Sequence, residues 1–168
     1  MYHKKIEIPC SPFIELPPVP DYTPSYFYKR ILVRSLKPEF LVWLSSKSLS
    51  VFNLNAILFY AHPNSGTSIH IDNVVENGWA INVVMGEAEI PMRWYKTHSE
   101  GQLRDADLNY NKIDPATSEL IDSCVLSSHL VRIDIPHESN NTSDKGAWVL
   151  SIRQHPMKMD WDEVRARF

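Results

Sequence analysis

Only two cysteines, Cys10 and Cys124, occur in the 168 residues. They are too few for a disulfide framework and lack metal-type spacing, so both thiols are expected to be reduced and the fold to rest on its core. The chain has no apolar run near the roughly 20 residues of a membrane helix, and no apolar signal segment follows Lys4 and Lys5. A cytoplasmic protein without membrane contact is expected. Excess basic charge is missing too: 17 Lys and Arg against 20 Asp and Glu give a net charge of -3. The basic residues are scattered, which argues against a nucleic-acid partner. There is no internal repeat and no low-complexity tract. The Asn140-Asn141-Thr142 sequon has no secretory context, so glycosylation is not expected.

Proline, by contrast, is concentrated at one end. Pro9, Pro12, Pro17, Pro18, Pro20 and Pro24 remove donors and fix φ, making 1–25 an extended arm. Phe13, Ile14, Leu16, Val19 and Tyr22 are too apolar for a free linker, so the arm should lie on the body or on a neighbouring subunit, and a homodimer is an open expectation. The length suits a single domain over 1–168, with a body at 26–153. Alternation marks a strand at 26–35. Pro38 with Phe40, Leu41, Leu44 and Leu49 around Trp43 predicts a helix over 38–48. Strands are then expected at 55–60, 68–72, 79–85, 89–95, 130–136 and 147–153. The turn formers at 62–66 suggest a tight connection, and Gly86-Glu87-Ala88 is short enough for a hairpin. The polar stretch 96–123 reads as a surface loop that could cover a site, 138–146 as a polar turn, and 160–168 as a short helix capped by Asp160. Many short strands with few helices read as an all-β sandwich or barrel.

Chemistry concentrates at Ser68-Ile69-His70-Ile71-Asp72. In an extended strand His70 and Asp72 project to one face and Ile69 and Ile71 to the other. A third ligand from a distant strand would complete a two-His-one-carboxylate set, which covers one face of a ferrous ion and leaves positions open. His137 shares the parity of Val131, Ile133 and Ile135 and so continues an inward face. There it is either a satisfied core residue or a ligand at a barrel mouth. Arg153 shares its face with Val149 and Ser151, and an inward guanidinium implies a carboxylate partner, internal or from a cosubstrate. Asn82 alternates with Ala80 and Val84 and could bond a cosubstrate or another strand. Tyr60 and Trp94 are strand aromatics near the proposed site, where packing is the commoner role. His129 reads as a structural or edge histidine. His62 and His98 fall in expected loops, His62 as a solvated turn residue that could line an entrance.

The succession His70-x-Asp72, His137 and Arg153 resembles the pattern of the Fe(II)- and 2-oxoglutarate-dependent oxygenases. The resemblance spans about 55–153. Trp79-Ala80-Ile81-Asn82 and Arg132-Ile133-Asp134-Ile135-Pro136-His137 are similar to small bacterial and phage members near the prolyl and aspartyl/asparaginyl hydroxylase branches. The resemblance implies a double-stranded β-helix, a cupin-like jelly roll, with His70, Asp72 and His137 as catalytic iron ligands. It further implies Arg153 as anchor of the distal carboxylate of 2-oxoglutarate. Ser151, on the same face, could add a hydroxyl donor to that carboxylate, and Asn82 and Tyr60 are candidate cosubstrate contacts from their own positions. The implied activity is hydroxylation of a small molecule, amino acid or peptidyl side chain. Two alternatives stand beside it: a non-catalytic cupin-like binding or assembly protein, and a metal-dependent cupin enzyme that uses no 2-oxoglutarate.

Overall fold

The computed structural model describes residues 1–20, 27–72, 78–97, 102–105, 110–154 and 158–168. Tyr22, Pro24, Tyr26 and His98 lie outside them. The elements are β1 (His3–Lys5), β2 (Phe27–Ile31), α1 (Pro38–Ser46), β3 (Leu54–Ala61), β4 (Ser65–Gly66), β5 (His70–Ile71) and β6 (Trp79–Gly86). They continue with β7 (Ile90–Thr97), β8 (Gln102–Asp105), β9 (Tyr110–Ile113), β10 (Ser118–Leu126), β11 (Ser128–Arg132), β12 (His137–Asn141), β13 (Ala147–Gln154) and α2 (Trp161–Arg165).

The pairings between these strands are antiparallel and form two sheets, ordered β1-β11-β6-β13-β3-β2 and β10-β7-β12-β5-β9-β8, with β4 beside β12. From β3 onward the chain passes repeatedly from one sheet to the other, which makes the architecture a jelly roll. The expected hairpin at Gly86 is one such crossing. β6 pairs with β11 and β13, whereas β7 pairs with β10 and β12. Gly86 takes a φ of +137°, backbone a side chain would strain, and so turns the chain from one layer to the next.

β6 and β13 are apolar on both parities because their sheet is covered on both sides. Trp79, Ile81, Val83, Trp148, Leu150 and Ile152 pack outward with α1, α2 and the N-terminal arm. Ala80 and Val149 pack inward against Met92, Trp94, Val131 and Ile133. Burying each large side chain contributes on the order of 1.5–3 kcal/mol. α1 begins with Pro38 at its first turn and buries Phe40 and Leu44. α2 is closed by a reciprocal capping box between Asp160 and Glu163, the cap expected from sequence. The arm lies on the body: Lys37 N–H donates to Pro12 O, and Trp148 Nε1–H donates to Pro17 O.

Several expectations are corrected. Residues 96–123 are no bare loop, since β8 and β9 extend the second sheet beyond β5 and β10 closes its other edge. The arm opens as an edge strand, β1, paired with β11. The strand expected over 26–35 ends at Ile31, and Val33–Ser35 is a single helical turn. The strand expected over 130–136 ends at Arg132, while the expected turn at 138–146 contains β12. β12 reads His-Glu-Ser-Asn-Asn; being polar on both faces, it carries no hydrophobic period to reveal it.

Candidate metal centre

β5 and β12 are brought side by side with His70 and His137 as direct Cα partners. Residues opposite one another in an antiparallel pair project to the same face, so both imidazoles point into the space between the sheets. Their ring centroids are 4.5 Å apart. Asp72 follows on the same face as His70, and its backbone N–H is tied to Ile133 O at 3.3 Å. Asp72 Oδ1 lies 3.5 Å from His70 Nε2. One ligand atom from each of His70, Asp72 and His137 falls within 4.8 Å of the other two.

The histidines are held alike. His70 Nδ1 is 2.7 Å from Ser68 O, and His137 Nδ1 is 2.8 Å from Ile135 O. A carbonyl only accepts, so each ring carries its proton on Nδ1 and keeps the Nε2 lone pair. Burial above all pushes His137 down to about 4, so it stays neutral and able to ligate. Burial would raise Asp72, but Arg153, then His70 and His137, hold its carboxyl well below the usual carboxylate range. Arg153 Nη2 sits 2.9 Å from Asp72 Oδ2. That oxygen nevertheless accepts no aligned hydrogen bond among the described residues. The contact is therefore ionic, and Oδ2 is a buried anionic donor in want of a further partner. Two imidazole nitrogens and such a carboxylate fit a divalent metal ion held on one face.

These groups line a cleft that encloses about 730 Å³, its open mouth included. Arg153, Ser151, Asn82 and Tyr60 all line it as well. Arg153 Nε reaches Ser151 Oγ at 3.5 Å. Asn82 Oδ1 is buried without a hydrogen-bond partner among the described residues. Tyr60 is a wall residue whose ring packs edge-on against His62 and Trp148 at 4.8 and 5.1 Å. His62 is buried rather than solvated, because Asn141 draws its carbonyl inward. Trp94 is fully buried, opposite His137, and donates to Arg132 O. Sequence reasoning missed Thr67 and Ser139, which add hydroxyls to the wall. Both lie on segments with no apolar period, so alternation offers no signal for them.

No family model matches the chain, and no curated protein matches it. Solved structures that resemble it are cupin-fold proteins. A recombinant oxalate oxidase in complex with glycolate is 12% identical, with a TM-score of 0.47 over 86% of this chain and 58% of that one. EvdO2 from Micromonospora carbonacea var. aurantiaca is 17% identical, with a TM-score of 0.44 over 73% and 62%. E. coli ycfD is 15% identical, with a TM-score of 0.43 over 62% and 26%. The chain spans 53% to 58% of the length of the oxalate oxidases it matches.

Proposed function

We propose that the chain is a mononuclear metal enzyme, an Fe(II)- and 2-oxoglutarate-dependent oxygenase that hydroxylates a small molecule, amino acid or peptidyl side chain. The observation carrying this reading is the convergence of His70, Asp72 and His137 on one point in a cleft also lined by Arg153, with the Nδ1 of both histidines tied to a backbone carbonyl. Bound there, ferrous iron with its keto acid would supply the oxygen activation. The residues of this chain do the rest. Asp72 contributes negative charge and Arg153 orients it. The guanidinium N–H groups not facing Asp72, with the Ser151 hydroxyl, would meet the distal carboxylate of the keto acid. Asn82 Oδ1 offers an acceptor to a substrate N–H or O–H. Met92, Ile133 and Val149 on the cleft wall limit access of water.

A second reading is favoured by the Arg153–Asp72 contact: a metal-dependent cupin enzyme that uses no 2-oxoglutarate, with Arg153 serving the ligand alone. One experiment separates the two. The chain is loaded anaerobically with Fe(II), then given 2-oxoglutarate and oxygen, and succinate is measured. Iron-dependent succinate supports the first reading, and iron binding without succinate supports the second. Failure to bind iron would overturn the first reading, and failure to bind iron, manganese or any other divalent transition metal would overturn both.

A further inference from the structure

β10 enters the sandwich through a β-bulge. Its register against β7 slips between Leu120 and Asp122, so that Asp122 and Cys124 come opposite Trp94 and Met92, the buried residues of β7. Ile121 and Val125 are left exposed. The slip thus turns an acid and a thiol inward where an unbroken ladder would have turned Ile121. Two imidazoles arrive at the same place from other strands. His3 on β1 stacks on Trp94 at 5.4 Å and an interplanar angle of 14°. His129 on β11 is 5% exposed, with its ring 5.7 Å from that of His3. One ligand atom each from His3, Cys124 and His129 lies within 4.8 Å of the other two.

That spacing is informative because no hydrogen bond joins the three groups to one another. Three donors stand around a gap, and a cation with bonds of about 2.0 to 2.3 Å would draw them slightly inward to close it. His3 Nδ1 is buried with no partner among the described residues, and His3 Nε2 lies 3.7 Å from Asp122 Oδ1. A carboxylate beside an imidazole is the usual outer-shell support of a metal-ligating histidine. Burial, then His3 and Lys5, bring His129 down to about 4, so it is neutral near pH 7. Burial and Asp122 push the Cys124 thiol up to about 12, so only a bound cation would displace its proton. His129 Nδ1 accepts the Ser127 N–H at 3.1 Å, the opposite polarity to His70 and His137. It must therefore give up that bond to ligate, and is the weakest of the three donors.

We propose that His3, Cys124 and His129 form a second cation site, for a thiophilic divalent cation of the zinc class, with a fourth position left to water. It shares no ligand with the His70–Asp72–His137 centre and stands independently of the function proposed for that centre. The test is anaerobic titration with Co(II) of a chain bearing its native N-terminus, read by thiolate-to-cobalt charge-transfer absorption, to which a centre without sulfur is silent. The expected result is a band that persists in Cys10→Ser and in His70→Ala, and that saturates at one equivalent in His70→Ala, where the other centre no longer competes for cobalt. It should vanish in Cys124→Ser and require at least tenfold more cobalt in His3→Ala. No band in the wild type, or one that survives Cys124→Ser, overturns the proposal. Should Cys124→Ser not fold, His3→Ala decides, because an unchanged cobalt affinity there also overturns it.

Discussion

His70 and His137 face one another across β5 and β12, and each gives its Nδ1 proton to the carbonyl two residues before it, Ser68 in one case and Ile135 in the other. Two strands far apart in sequence thus present the same ring nitrogen to the same point. The first prediction follows directly. His70→Ala, Asp72→Ala and His137→Ala should each weaken Fe(II) or Mn(II) binding by at least tenfold, measured calorimetrically without oxygen, with a cooperative melt retained. An unchanged affinity in any of them would remove that residue from the ligand set.

Arg153→Ala should act in two places. Loss of a partner from a buried charge pair costs about 2 to 5 kcal/mol, and here that cost should appear as weaker 2-oxoglutarate binding. Because Arg153 also holds Asp72 in its ionised form, the pH at which metal binding is lost should rise in the variant. Lysine should restore the second effect better than the first, since a point charge can neutralise Asp72 but cannot fork onto a carboxylate. If keto-acid affinity stays at the wild-type value while metal binding shifts, Arg153 serves Asp72 alone.

The metal-free protein should lose stability on mild acidification. His137 and His129 both titrate near 4 when folded and near 6.5 when unfolded, so between those values the unfolded chain binds more protons and gains. Stability from these groups is full above about 6.5 and is lost progressively down to about 4. His137 alone accounts for about 3 kcal/mol at most. Chemical denaturation at a series of pH values should show this slope, and His137→Gln should flatten it.

Gly146→Ala should disturb the cleft wall from behind. A Cβ at position 146 would stand 2.0 Å from Tyr60 Oη, and the Tyr60 ring is already packed against His62 and Trp148. A cost of about 1 to 3 kcal/mol is expected from the forced repacking. Equilibrium unfolding of the variant beside Tyr60→Phe/Gly146→Ala, where the hydroxyl is gone, should show partial recovery in the double variant.

The sequence by itself determined the class of fold and the residue types of the centre. Alternation put His70 with Asp72 and Arg153 with Val149 and Ser151, and these shared faces hold because period-2 geometry is a local property of the strand. His137 does face inward as Val131 and Ile133 do, but β12 lies in the other sheet from β11, so its face is set by pairing with β5 and β7 and not by one continuous alternation. It also gave α1, whose apolar spacing and Pro38 are local signals. The tertiary structure alone decided which strands lie side by side. β12 was invisible because a strand polar on both faces has no period, and its pairing with β5, which sets His137 against His70, is made by non-local hydrogen bonds. The crossing at Gly86 is the same kind of fact, since a short turn reads alike whether the strands it joins pair with each other or with others. An internal partner for Arg153 likewise emerged only in three dimensions: an inward guanidinium implied an anion, and folding placed Asp72 against it. So too for Cys124, whose inward face depends on one slipped residue in a ladder that no sequence period records.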